Sequence, residues 1–388
     1  MEEKRNVPKL RFPGFTDPWE QRRLGELLTY EQPQPYIVES TEYSGNPGTP
    51  VLTAGQRFIL GYTDEEYGIK IASEDSPVVI FDDFTTSSHF VEFPFKVKSS
   101  AMKLLSPRDK EDDFRFIFHT LGKINYTPQG HERHWISKFS KFSVPVPGKI
   151  EQEKIGSLFQ KLDSLITLHQ RKLDHAKELK KGLLQKMFPK EGASVPELRF
   201  PGFTDPWEQR RLGEITDELS EYATLSSELP LLTSSRTGLM YQSEYRGNLT
   251  TDNESTAFSV VPLCACTYRH MSDDNVFHMN INTLEKGLVS SEYPVFVASE
   301  RNELNFVVQY LNSGSRFRAF CAEQKKGGTR TRLYYKTLCE FSMMVPGEAE
   351  QRKVSQLLSD MDSLITLHQR QLDHIKELKK GLLQQMFV

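Results

Sequence analysis

The densest group of side chains suited to chemistry lies between residues 316 and 336. Arg316, Arg318, Lys325, Lys326, Arg330, Arg332 and Lys336 interleave there with Phe317, Phe320, Tyr334 and Tyr335, around Gly327-Gly328. Ammonium and guanidinium groups attract phosphates, arginine also bonds base edges, and paired glycines leave a loop free to follow a backbone. This is the chemistry of nucleic-acid contact. Gln129-Gly130-His131-Glu132-Arg133-His134 lies 199 residues earlier in equivalent register, with Arg332 falling on Arg133 and Tyr334 on Trp135. The candidate contacts are Arg133 and His134 in the first stretch and Lys325, Lys326, Arg330 and Arg332 in the second. Arg269 and Arg57, each following a strand-like run, are weaker candidates. The bland alternative is a solvated charged loop closing each half of the chain.

Other constellations argue against catalysis. There is no Gly-x-x-x-x-Gly-Lys-Ser/Thr phosphate loop and no Asn/Asp-Pro-Pro-Tyr tetrapeptide of the kind that holds a flipped adenine. His131 and His134 are three apart, where a zinc-protease helix needs histidines four apart to share a face. Cys264-Ala-Cys266 has no second pair at metal-binding spacing, and its apolar surroundings point to core. Asp82-Asp83 and Asp112-Asp113, without a suitably spaced lysine, read as solvated turns. The expectation is no catalytic residue, no metal and no cofactor.

The elements that must position these loops come in duplicate. Leu10 to Glu26 (LRFPGFTDPWEQRRLGE) recurs unchanged as Leu198 to Glu214, and Asp163 to Phe188 recurs as Asp362 to Phe387 with three differences, Lys172/Gln371, Ala176/Ile375 and Lys186/Gln385. The first repeat is offset by 188 residues and the second by 199, so the second copy is 11 residues longer between its constant parts. Each copy thus has a leading segment, a variable body and a constant tail. The bodies mix β-branched or aromatic runs (77–81, 93–97, 259–266, 293–297) with helix-like spacing at 114–121 and 304–310.

In the tails, Leu162, Ile166, His169, Leu173, Ala176, Lys180, Leu183 and Met187 step by alternating fours and threes. Met361, Ile365, His368, Leu372, Ile375, Lys379, Leu382 and Met386 do the same. Sustained 3-4 spacing marks a coiled-coil seam on helices roughly 55 Å long at 1.5 Å per residue. Neither seam can be buried alone, and pairing the two antiparallel is the economical arrangement. The polar seam positions, His169/His368 and Lys180/Lys379, are expected to set register.

Composition sets the remaining bounds. The 388 residues carry a net charge of −3 and are 37% hydrophobic, which suits globular domains rather than disorder. Four cysteines, all in the second half, fit a reducing compartment. The polar start argues against a secretory signal, and no apolar run is long enough for a bilayer, so a soluble cytoplasmic protein is expected.

The leading motif, taken twice, resembles the specificity subunit of type I restriction-modification systems. So do the tails, where Val146-Pro147 leads through Glu151-Gln152 to Lys154-Ile155, and Val345-Pro346 through Glu350-Gln351 to Lys353-Val354. The proline-rich exit usual in that family is shortened here to Val-Pro-Gly. The resemblance implies a non-catalytic subunit whose partners are double-stranded DNA, methyltransferase subunits and, through them, a restriction motor-nuclease. It implies an α+β fold with two similar target-recognition domains joined by two long helices in an antiparallel coiled coil. The expected segments are 1–147 and 191–346 for recognition, and 148–190 and 347–388 for the spacer helices. Leu162, Ile166, His169, Leu173, Leu183, Met361, Ile365, His368, Leu372 and Leu382 are the expected seam and docking residues. Two binding modules on a coiled-coil strut with a protein ligand are the rival from another class.

Overall fold

A computed structural model describes residues 7–40, 42–43, 48–55, 57–128, 133–246, 256–325 and 329–388. The chain divides into two compact units. Unit 1 comprises residues 1–170 together with 370–388, and unit 2 comprises 171–369. Each of the two long helices, Lys149–Met187 and Glu348–Met386, begins in one unit and ends in the other. The constant tails are therefore not freestanding segments, because each unit contains the start of one helix and the end of the other.

In unit 1 the order of residues at this pairing is antiparallel. Phe159 meets Phe387 with ring centroids 5.6 Å apart, and four residues further along the first helix Asp163 pairs with Lys379. In unit 2, Lys180 pairs with Asp362 at 2.6 Å, and Gln309 donates to the same carboxylate. The polar seam lysines are thus satisfied by aspartates of the same constant sequence. Leu162, Leu173, Met361 and Leu372 are buried, while Ile166, His169, Leu183, Ile365, His368 and Leu382 are half-buried. Leu165, Leu168 and Leu179, with their copies Leu364, Leu367 and Leu378, stay exposed off the seam.

Unit 1 layers its helices on a four-stranded antiparallel sheet ordered Leu28–Glu31, Met102–Pro107, Val78–Asp82 and Ser88–Val91. The run from Val78 to Phe81 is buried on both faces. Val79 and Phe81 join the core formed with helix Phe114–Gly122, whereas Val78 and Ile80 face a second core under the strands Thr49–Leu52 and Lys96–Val97. That explains its continuous apolar character in an antiparallel sheet. Unit 2 has a counterpart sheet ordered Thr216–Glu218, Val295–Ala298, Cys266–Thr267 and Asn280–Ile281, packed with helix Leu304–Ser313. The apolar run at 259–266 is not one strand. Pro262 interrupts it after Phe258–Val261, and Cys264 has a φ of 65° in the turn that follows. Cys266 is core, but Cys264 is exposed.

The leading motif joins these parts. Its strand Glu20–Arg23 pairs antiparallel with Ser143–Val146, the segment that runs into the first long helix, and Glu208–Arg211 pairs likewise with Ser342–Val345. Arg11 donates through Nε and Nη2 to Glu151, both at 2.7 Å, in the first turn of that helix. The Leu10 amide donates to the carbonyl of Gln385 at 2.9 Å, near the end of the other helix. Unit 2 repeats this with Arg199 on Glu350 and the Leu198 amide on the carbonyl of Lys186. Gln152 accepts from the Asp113 amide and donates to Asp112 and to the carbonyl of Pro147. Asp112 is buried and paired with Arg22, and Asp113 caps helix Phe114–Gly122, so this acidic pair is not the solvated turn expected. Gly156 is required where the long helix crosses that cap, since a Cβ there would stand 2.0 Å from Asp113 Oδ1.

Phe387 packs among Trp19, Phe116, Phe159 and His119, and Phe188 packs among Trp207, Phe306 and Tyr310. Phe387→Ala is expected to destabilise unit 1 by about 3–5 kcal/mol, the usual range for a buried phenylalanine. Denaturant titration that finds no loss would remove the pairing of the second helix end with this core. Burial, assisted by Lys379 and Arg115, lowers the His119 pKa from 6.5 to about 3. Between those values the unfolded chain binds the extra proton, so this contribution is full above pH 6.5 and falls away towards pH 3. Urea midpoints at neutral and mildly acidic pH should converge in His119→Phe relative to the parent. Equal pH dependence in both would place the acid sensitivity elsewhere.

Candidate nucleic-acid interface

In each unit three loops meet, and the candidate arginines sit on them. In unit 1 the loop after Leu52 is tied at its neck by the Thr53 amide, which donates to the carbonyl of Phe58 at 2.9 Å. The Thr53 hydroxyl bonds the carbonyl of Arg57, leaving the Arg57 side chain exposed. Phe58 stacks on His89 with centroids 4.3 Å apart. The Ser87 hydroxyl donates to the carbonyl of Ala54 at 2.7 Å, which joins this loop to the turn after Asp82. In that turn Asp82 Oδ1 accepts the amides of Phe84 and Thr85.

The third loop ends at Arg133 and is anchored by Asp83. The carbonyl of Asp83 accepts the His134 amide at 3.0 Å and its Oδ1 accepts the Trp135 amide at 2.9 Å. Its other oxygen lies 3.3 Å from Lys103 Nζ, and both side chains are almost wholly buried, at 2% and 0% exposure. Lys103 also donates to Gln32 and sits over the Tyr30 ring. Asp83 is therefore the loop's foundation, not a solvated turn residue. The candidates beside it divide. Arg133 is exposed, whereas His134 is buried with Nδ1 3.2 Å from the Tyr126 hydroxyl. A ring enclosed in this way positions the loop and is not presented to a ligand. Residues 129–132 of the predicted loop lie outside the described residues.

Unit 2 builds the same convergence differently. Arg236, at the tip of the hairpin Leu232–Ser235/Gly238–Tyr241, donates to Asp274 at 2.8 Å. Arg330 donates to the neighbouring Asp273 at 2.8 Å, and Thr331 bonds Asn275. Strand Thr331–Arg332 pairs with Met271–Ser272, and the Leu333 amide donates to the carbonyl of His270. His270 stacks on Tyr334. Between these loops lies a cavity of about 310 Å³ lined by Arg236, Tyr245, Arg269, Asp273 and His278. Arg269 and Arg332 are exposed, and so is Lys325 just past helix Ser315–Glu323; Lys326 lies outside the described residues.

Arg57, Arg133, Arg269 and Arg332 have no carboxylate ion-pair partner among the described residues, whereas Arg330 and Arg236 are each held by an aspartate. Burial lowers the pKa of both His270 and His278, with Arg332 and Arg269 adding to the effect on the first and Arg236 and Arg318 on the second. Glu292, 3.4 Å from His270, and Asp274 near His278 work the other way, and the arginines supply the permanent positive charge. Arg236 escaped sequence reasoning, although the turn sequence Ser235-Arg236-Thr237-Gly238 signals a hairpin tip. Among the described residues no group of three or more His, Cys, Asp or Glu could hold a metal, and no described helix is long and apolar enough to cross a membrane.

Residues 16–178 match the family described as the type I restriction modification DNA specificity domain. The type I restriction enzyme EcoR124I/EcoR124II specificity subunit of Escherichia coli is 44% identical over 134 residues, which are 34% of this chain and 33% of that one. The MjaVIII specificity subunit of Methanocaldococcus jannaschii is 24% identical over 214 residues, 51% of this chain and 49% of that one. The matches thus span a third to a half of those relatives. A crystal structure of a type I restriction-modification S subunit from M. genitalium superposes with a TM-score of 0.71 over 98% of this chain and 99% of that one, at 14% identity, a likeness of fold.

Asp83→Ala strands the Lys103 ammonium in the interior and is expected to cost about 3–5 kcal/mol of stability. Adding Lys103→Met should recover part of it, because the orphaned charge is then gone. Denaturation curves in which Asp83→Ala matches the parent would mean that the pair does not anchor the loop.

Proposed function

We propose, from the premise that residues 16–178 carry a type I restriction modification DNA specificity domain, that the chain is the DNA-recognition subunit of a type I restriction-modification enzyme. The observation that carries this reading is the duplicated meeting of three loops, with exposed arginines that have no carboxylate ion-pair partner among the described residues at one place in each unit. Guanidinium groups so presented can bond guanine O6 and N7 in the major groove, while exposed lysines such as Lys325 attract phosphates without regard to sequence. The recognition segments would be 1–147 and 191–346, and the spacer helices 148–190 and 347–388.

The two sets of loops share little sequence, so each unit reads a different half-site and the whole target is asymmetric and interrupted. The subunit does no chemistry itself. Methyltransferase subunits dock on the constant helices and bring the restriction motor-nuclease with them. Leu162, Leu173, Met361 and Leu372 are buried and the other seam residues half-buried, so docking falls to the more exposed leucines off the seam. Leu165, Leu168 and Leu179 recur at the same positions in the second helix, as two equivalent partners would require.

Arg133→Ala should relax one base position of the first half-site by about 1–3 kcal/mol and leave the second half-site as it was. Arg332→Ala should do the reverse. Methylation profiling of cells that carry each variant with its partner subunits reads both halves at once. Relaxation of the wrong half would end the assignment of loops to half-sites, and methyl transfer by the purified chain alone would end the subunit reading.

A further inference from the structure

Unit 2 holds a second concentration of cations, away from the hairpin tip and the loop Met271–Val276. A cleft of about 720 Å³ opens between the last turns of the first long helix and the start of helix Ser315–Glu323. Lys177, Lys180, Lys181, Lys190, Arg316 and Arg318 line it, against the single carboxylate of Glu191. Three of these cations are already balanced, Lys180 by Asp362, Lys181 by Glu178 and Lys190 by Glu197. Lys177, Arg316 and Arg318 have no carboxylate ion-pair partner among the described residues, and Arg316 shares the cleft wall with Tyr310. The helix beginning at Ser315 has no side-chain cap, so its first amides add positive potential to the same wall.

This helix is the extra material of unit 2. Among the described residues unit 1 passes from helix Phe114–Gly122 to the turn His134–Ser137 without one, and the longer second copy places its additional residues here. Arg318 is near enough to His278 to lower its pKa, and His278 lines the cavity that holds Arg236 and Arg269. At its other end the helix leads to Lys325, about 13 Å away at 1.5 Å per residue, or about four base pairs of duplex at 3.4 Å each.

We propose that this cleft is a phosphate-binding site for the sugar–phosphate backbone of duplex DNA beside the stretch that the unit 2 loops read. It rests on the DNA-recognition reading and adds a contact without sequence information. The cations of the constant tail, Lys177 above all, thereby join a surface created by the variable body. A free polyphosphate shares the recognising chemistry, but cations at both ends of helix Ser315–Glu323, Arg316 and Arg318 at its start and Lys325 just past its end, suit an extended polyanion.

The test is a salt titration of the full chain binding a duplex of arbitrary sequence, followed by fluorescence anisotropy, with tripolyphosphate as a separate probe. Lys177→Ala with Arg316→Ala and Arg318→Ala should flatten the log–log salt slope by about 2.7, at about 0.9 per phosphate contact. Arg316→Lys with Arg318→Lys should keep the slope. Lys177→Ala alone, at an exposed helix position, should flatten it by about 0.9 even if the triple variant folds poorly. An unchanged slope in these alanine variants, with only tripolyphosphate binding weakened, makes the cleft a free-anion site and overturns this inference alone. Failure of the parent chain to bind any duplex, alone or with its methyltransferase partners, overturns the inference together with the reading it rests on.

Discussion

The arrangement depends on two buried carboxylates. Glu151 and Glu350, each 2% exposed, stand in the first turns of the long helices and are neutralised bidentately by Arg11 and Arg199. A carboxylate so enclosed is tolerated only with a partner of matching geometry, and the helix start contributes further positive potential. The arginine must therefore come back to the helix, and it brings the leading segment with it. Next to each arginine, the Leu10 and Leu198 amides bond the closing turn of the other helix, so one short motif holds the beginning of one helix and the end of its fellow. Trp207 Nε1 adds a bond to Glu350 in unit 2. The constant lead and the constant tail recur together because each supplies what the other leaves unsatisfied.

Much of this frame was legible in the sequence. The repeats announced two copies of one plan, and of the 3-4 positions from Leu162 to Met187 the structure buries Leu162, Leu173, Ala176 and Met187 and half-buries the rest. What periodicity could not supply was the exchange by which the end of each helix completes the unit begun by the other. That depends on Phe188 and Phe387, which lie one residue beyond the seam and read only as the apolar end of a tail. The acidic pairs were misread for a related reason. Asp83 and Asp112 have partners, Lys103 and Arg22, that are distant in sequence, and no local pattern reveals a pairing made through the tertiary fold.

The candidate interface was legible by type and less so by place. Arginine near glycine and aromatic residues pointed to loops that the fold does bring together, but His134, adjacent to Arg133, proved to be a buried support. Arg236 was passed over because its neighbours are small and polar, and its relation to Asp274 exists only once the hairpin folds over the loop. The two units reach a similar end by different means. Unit 1 rests its third loop on a buried ion pair, whereas unit 2 ties its loops with a short strand pair and aspartate bonds nearer the surface. Sequence divergence between the bodies is compatible with this, since only the meeting of three loops has to be preserved.

The discontinuity of unit 1 has a consequence for synthesis. Unit 2 is a continuous stretch, complete once residue 369 has been made, but unit 1 waits for residues 370–388 to reach a core begun at Trp19. At a translation rate of about 5–20 residues per second, its first 170 residues are present for roughly 10–40 s before the missing helix end arrives. During that interval Trp19, Phe116 and Phe159 lack the ring of Phe387 against which they close. Unit 1, begun before unit 2, is therefore completed only after it.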